Sequence, residues 1–209
     1  MNINDLADGI AFLGNSLLKP MNLSSDAGLD PRVWEGFLTL GSDALSDAAR
    51  ECGGYVSSLV EQVGREQAAL ECSAEHTRLF VGPRKPEAAP WETMYRPGAN
   101  EETCGFGQAT TEMRALLRSE GLGLSNENNQ YEDHMGVELL LLSHLLRKAA
   151  VCETGDAQAA MSKVRGFAAQ YPGRWIGAFR DRVSAAAPGG YFDHLLAVAQ
   201  EVIVLVGAL

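Results

Sequence analysis

Long apolar runs, basic clusters, closely spaced cysteines and phosphate-cradling glycine motifs are scarce or missing in this chain, and each absence narrows what it can be. The stretch Val137–Leu146 is only about half of the ~20 apolar residues that a bilayer crossing needs, and it ends in Arg147-Lys148. No integral membrane segment is therefore expected. The first residues carry Asp5 and Asp8 and no positive n-region, so they do not read as a secretory signal, and a cytoplasmic location is expected. Lys and Arg number 17 against 27 Asp and Glu, a formal net charge of -10. Such a chain repels phosphate backbones, and nucleic-acid binding is not expected. The acidity serves solubility or suits a basic peptide partner, and composition leaves both readings open.

Cysteine occurs four times, at Cys52, Cys72, Cys104 and Cys152, without a C-x-x-C pair. Spacing this wide argues against a zinc knuckle. Cys52 and Cys152 fall on apolar faces of predicted helices, which reads as buried free thiols in a reducing compartment. Gly105-x-Gly107 stands alone, without the rest of a dinucleotide or P-loop pattern. No alternating strand pattern stands out either.

The patterning that is present is helical. Apolar residues make up 46% of the chain and charged residues 21%, enough for a sizeable core and too apolar for disorder. Ile3, Leu6, Ile10, Leu13 and Leu17 repeat at three- and four-residue steps. A second stripe runs from Leu45 through Cys52 to Val63, with Gly53-Gly54 as a point where that helix is able to bend. Further stripes start at Ala109, at about Asp133, at Met161, at Trp175 and at Phe192. Asp30-Pro31 reads as an N-cap followed by an N1 proline, and Asn129 with Glu132 as a capping box. Gly121, Gly155 and Gly189-Gly190 are placed as C-terminal stops. The expected class is all-α, with roughly eight or nine helices in one bundle-like domain over residues 1–209. A Pro/Gly-rich loop at about 82–107 would separate its N- and C-terminal sub-bundles. Irregular loops of more than ~12–15 residues are uncommon in compact domains unless they do something.

Two segments carry candidate chemistry. His76–Tyr95 reads HTRLFVGPRKPEAAPWETMY. Gly82-Pro83 must stop the preceding helix, and Pro86 and Pro90 stiffen the stretch beyond it. Trp91 and Tyr95 are four apart and share a face on one helical turn. Their apolar bodies and polar tips suit a peptide-accepting groove, or a loop that merely anchors two sub-bundles. The second segment is Tyr131-Glu132-Asp133-His134, opening the long apolar helix. Glu132 and Asp133 would be stabilised there by the helix dipole alone. A cationic His134 would be disfavoured, so it is either neutral or held by a carboxylate, and Glu138 lies one turn on. His134-x-x-x-Glu138 has ligand spacing, but His144 lies ~15 Å further along the axis, so no metal and no cofactor are expected. No nucleophile elbow or triad signature accompanies Asp133-His134. His76 and His194 read as surface or helix-packing residues.

Taken together, these segments resemble the TorD/DmsD/NarJ-like family of redox-enzyme maturation chaperones. The resemblance rests on Leu79-Phe80-Val81-Gly82-Pro83, then Pro90-Trp91-Glu92-Thr93-Met94-Tyr95, then Asp133-His134 with Glu138-Leu139. The run Phe167, Trp175, Phe179, Tyr191-Phe192 and Leu195 resembles the family's C-terminal pattern. The chain departs from that pattern at Tyr131, Tyr171 and Arg96-Pro97. The resemblance implies an all-helical, non-enzymatic chaperone that binds the twin-arginine leader of a molybdoenzyme catalytic subunit until its cofactor is loaded. It also implies monomeric, dimeric or domain-swapped forms. Leu79, Phe80, Gly82, Pro83, Pro90, Trp91, Glu92, Tyr95, Asp133, His134 and Glu138 are the expected leader-binding residues. Carboxylates such as Glu92, Asp133 and Glu138 would receive the arginines, while Phe80, Trp91 and Tyr95 would bury the apolar part. That requires the Pro-rich loop to fold over the start of the Asp133 helix. The competing expectations are an adaptor for a subunit terminus without an export signal, and a small hydrolase using Asp133 and His134.

Overall fold

Asn2 opens the first helix by accepting a hydrogen bond from the Asn4 backbone N–H at 3.0 Å. This computed structural model describes residues 2–83, 85–99, 106–125, 130–152 and 154–209. Helix α1 (Ile3–Leu18) buries Leu6, Ile10, Leu13 and Leu17 completely, the stripe seen in the sequence. Asp30 caps α2 (Pro31–Glu35) with Pro31 in its first turn, but this helix is a single short piece that tightens into a 3-10 turn, Gly36–Thr39. Ser42 caps α3 (Asp43–Val63), which runs unbroken through Gly53-Gly54. α4 (Arg65–His76) follows after Gly64, whose φ of 81° stops α3. After the Pro-rich loop come α5 (Gln108–Ser119), α6 (Met135–Ala150), α7 (Thr154–Gln170), α8 (Pro172–Ala186) and α9 (Tyr191–Gly207). Among the described residues the regular structure is helical, and the one β-type pairing is an isolated bridge between Trp91 and His134.

Two boundaries differ from the sequence reading. α6 begins at Met135 with His134 as its cap, not at a box formed by Asn129 and Glu132. Glu132 sits in a turn before the helix, and Asn129 lies outside the described residues. Gly155 is no stop: α6 has already ended at Ala150, and α7 includes that position. Cys152 lies past the end of α6 and is half-buried, donating to the Lys148 carbonyl at 3.3 Å. Cys52 and Cys72 are the buried thiols, and burial pushes both up, Cys72 to about 12. Cys104 lies outside the described residues.

Helices from the two sides of the Pro-rich loop share one core. α1 packs along α6, and α3, α7 and α8 all pack on α9. The α1/α6 crossing is close because both helices present glycine there. A Cβ on Gly14 would stand 2.8 Å from the Gly136 carbonyl oxygen, and one on Gly136 would stand 2.6 Å from the Gly14 oxygen. Ser143 adds a hydrogen bond to the Ala7 carbonyl at 2.7 Å across the same interface. The first N–H groups of α9 are satisfied from a distance: both Glu75 oxygens accept from Tyr191 and Phe192 at 3.2 and 3.0 Å. Glu120, at the end of α5, is held by Lys148 of α6 and Lys163 of α7, whose hydrogen bonds keep its carboxyl at about 2. Among the described residues, no helix is long and apolar enough to cross a membrane.

Candidate functional site

The sequence Leu79–Pro83 ends α4 in a wide, under-wound turn. Thr77–Val81 form one π-type turn, closed by the Gly82 N–H donating to the Thr77 carbonyl at 2.7 Å. Gly82 has φ +63°, and a Cβ there would meet the Lys85 carbonyl oxygen at 2.3 Å, so only glycine fits. Leu79 and Phe80 face inward. Phe80 sits among His76, Phe179 and Phe192, with ring centroids 5.1, 5.7 and 5.0 Å away. His76 is itself a packing residue, bonding the Leu17 carbonyl through Nε2 at 3.0 Å. The chain then turns back, and the Ala88 N–H donates to the Leu79 carbonyl at 2.8 Å. Gly82 and Pro83 rim a groove of about 650 Å³ that is also lined by Pro20, Leu23 and Leu70.

From Pro90 onward the loop lies against the start of α6. The Met135 N–H donates to the Pro90 carbonyl and the Glu92 N–H to the Asp133 carbonyl, both at 2.9 Å, flanking the Trp91–His134 bridge. The two segments that stood ~40 residues apart in the sequence thus form one joint. Asp133 is its rivet. Its Oδ2 accepts from the Thr93 N–H at 2.9 Å and the Thr93 hydroxyl at 2.6 Å, and its Oδ1 from the Thr110 hydroxyl at 2.9 Å. The aspartate is fully buried, so one carboxylate ties the loop, α5 and α6 together. Thr93 and Thr110 do not stand out in the sequence, because lone threonines near helix starts carry no periodic signal.

His134 is neutral. It is buried, its Nδ1 accepts from the Gly136 N–H at 2.9 Å, and burial lowers its pKa to about 3. It serves as N-cap, and among the described residues no carboxylate holds it. Glu138, also fully buried, accepts from Trp175 Nε1 at 3.0 Å through Oε2, while Oε1 has no partner among the described residues. Burial, reinforced by Glu92, raises its pKa well above the usual carboxylate range. The His134-x-x-x-Glu138 spacing therefore serves a cap and a tryptophan. Among the described residues, no three His, Cys, Asp or Glu side chains gather closely enough to hold a metal ion.

Trp91 and Tyr95 do not share a face. Trp91 is extended (φ -118°, ψ 132°), and only Glu92–Met94 form a 3-10 turn, so the α-helical spacing does not apply. The Trp91 ring lies against Tyr131 and His134 at 5.9 and 6.3 Å, half-buried, with Phe106 beyond Tyr131 at 6.1 Å. Phe106 is 50% and Tyr131 38% exposed, which makes an aromatic edge open to solvent. The Tyr95 ring instead packs on Trp175 and Phe179 at 5.1 and 5.9 Å, with the Arg182 guanidinium over it at 4.4 Å. Glu92 is 1% exposed, and its Oε1 accepts from Arg96 at 3.0 Å and Arg174 at 3.4 Å. Arg96 continues to Glu112 at 2.5 Å. The Glu92/Arg96 pair is visible in the sequence as an i, i+4 spacing; Arg174 is not.

Comparison with known proteins places the chain in a family. Residues 43–181 match the family model described as nitrate reductase delta subunit. The chain is 26% identical to the chaperone protein TorD of Shewanella loihica over 147 residues, 69% of this chain and 65% of that protein. It is 28% identical to the chaperone protein TorD of Vibrio cholerae over 134 residues, 64% of this chain and 59% of that protein. The Tat proofreading chaperone DmsD of Salmonella typhi is 34% identical over 68 residues, 32% of each chain. The matches to the two TorD proteins span just under two thirds of their length. With the family model covering both halves of the joint, the chain belongs to the nitrate reductase delta subunit family, the TorD-like group.

Proposed function

We propose that this chain is a non-enzymatic, cytoplasmic chaperone for the maturation of a redox enzyme. It binds the twin-arginine leader of a molybdoenzyme catalytic subunit and holds it until cofactor insertion and export. The observation that carries this reading is the joint itself, where an aromatic edge open to solvent adjoins a set of buried carboxylates. Such an arrangement suits a segment that is apolar along part of its length and basic at one end.

The candidate residues divide by what they touch. Trp91, with Tyr131 and Phe106, receives the apolar stretch, and Gly82 and Pro83 shape a separate groove with Pro20, Leu23 and Leu70. Glu92 is as buried as Asp133 and Glu138, but its Oε2 has no partner among the described residues and its partner Arg174 reaches the surface, so it is the carboxylate that receives an arginine. Leu79, Phe80, Pro90, Tyr95, Asp133, His134 and Glu138 hold the joint in shape rather than meeting the leader, because their polar atoms or rings are engaged or buried. The same engagement disfavours a hydrolase built on Asp133 and His134. In this reading residues 1–209 act as one domain, with the 82–107 loop as its binding strap.

Titration calorimetry with a twin-arginine leader peptide tests the proposal. Micromolar or tighter binding is expected, weaker at high salt, and about tenfold weaker in Trp91→Ala. Absence of binding to every such leader from the host's molybdoenzymes overturns it. Equal binding of a leader with both arginines replaced points instead to an adaptor for a terminus without an export signal.

A further inference from the structure

Among the described residues of the joint, Glu92 is a buried carboxylate that holds two arginines on one oxygen and none on the other. A buried carboxylate ordinarily has its lone pairs filled by well-placed donors. Here two guanidiniums crowd onto Oε1, while Oε2 has no partner among the described residues. A second unfilled oxygen, Glu138 Oε1, belongs to the same cluster of interacting carboxylates.

The two arginines are not equivalent. Arg96 is clamped at both ends, Glu92 at 3.0 Å and Glu112 at 2.5 Å, and is 19% exposed. Arg174 is 52% exposed, and its ion pair with Glu92 is long, at 3.4 Å. It also sits in the first turn of α8, just after Pro172, where a cation opposes the helix dipole. A guanidinium free to orient its planar fork would engage a carboxylate through two parallel bonds, which Arg174 does not do.

We propose that Arg174 is a placeholder: in the free chain it occupies the slot on Glu92 that a partner's guanidinium takes, and it swings out to solvent when that partner arrives. The incoming group exchanges one long contact for a two-bond contact that also uses Oε2. This deepens the leader-binding reading and rests on it for the identity of the partner. The slot itself is selective for guanidinium over ammonium, because only a planar fork reaches both oxygens.

The exchange makes a counterintuitive prediction. Removing a positive charge from a site that binds a positive charge should tighten binding only if that charge is a competitor. Arg174→Gln is expected to bind a peptide of two adjacent arginines followed by an apolar run about two- to fivefold more tightly than the unaltered chain, the range expected of a loose, exposed ion pair. Glu92→Gln should weaken it, and in the Glu92→Gln background Arg174→Gln should add nothing. A peptide with two lysines should show none of these differences. Folding of each variant is checked by its urea midpoint. Unchanged or weaker binding by folded Arg174→Gln, with the unaltered chain binding, overturns the placeholder and leaves the leader reading standing. The dipeptide amide of two arginines provides the converse arm. If it shifts the Arg174 Nε–H resonance while no leader binds, the slot holds and the leader reading falls. If neither probe acts, both fall.

Discussion

At the residue scale, Asp133 and His134 are the side chains that fasten the Pro-rich loop to the start of α6. Asp133 accepts three hydrogen bonds in a site closed to water, and Asp133→Ala would strand Thr93 and Thr110 as well as remove a charge-assisted acceptor. A loss of about 3 kcal/mol or more is expected in urea unfolding, with Thr93→Val losing about half of that. His134 makes stability pH-dependent with a definite sign. Its folded pKa of about 3 lies below that of an unfolded histidine, so the unfolded chain takes up a proton first as pH falls. The contribution is complete above about pH 6.5 and drains away as pH drops toward 3, about 2 kcal/mol being lost by pH 5. His134→Asn keeps a capping oxygen and should remove that dependence between pH 7 and 5, measured by urea midpoints. Glu138 runs the other way, because its folded pKa is raised. Stability is lost as pH climbs above the unfolded value near 4.5. Glu138→Gln should flatten that limb.

At the element scale, the helices were legible because their buried faces repeat with helical period. Leu6, Ile10, Leu13 and Leu17 are the interior face of α1, and Phe179 and Val183 that of α8. The start of α6 was not legible in the same way. Acidic residues before an apolar run look like a first turn, but Asp133 stands in the turn before α6, held by bonds to Thr93 and Thr110 that no local pattern announces. Trp91 and Tyr95 were misplaced for a related reason: their spacing suits an α-turn, yet pairing with α6 holds Trp91 extended. The glycine crossing of α1 and α6 was silent too, because nothing in the sequence couples Gly14 to Gly136. Either Gly14→Ala or Gly136→Ala must push backbone away from backbone. A loss of about 2–3 kcal/mol is expected, against a gain of up to about 1 kcal/mol for alanine at exposed Gly54 in the middle of α3, where a Cβ meets nothing. Thermal melts of the three variants check the contrast.

At the scale of the whole molecule, the order of helices along the chain differs from their order in space. The first helix lies on α6 and the third on the last, so the halves flanking the Pro-rich loop cannot separate without exposing the core of both. One cooperative transition is therefore expected. Far-UV circular dichroism should coincide with tryptophan fluorescence, whose reporters include Trp34 from the first half and Trp175 from the second. Two resolved transitions would mean that the halves are separate units. The all-helical class was evident from the sequence. The interleaving was not, because long-range pairing leaves no trace in local periodicity.

The reciprocal glycines give the molecule a detent. Sliding α1 by one position would bring Leu13 or Asn15 to bear on the carbonyl of Gly136, where no side chain fits, so the two helices click into a single register. Gly136 is also the residue whose N–H fixes the His134 ring. The angle at which the Pro-rich loop meets α6 is thus dialled in from the opposite end of the chain, and a change in the first helix would shift the Trp91 edge without touching it.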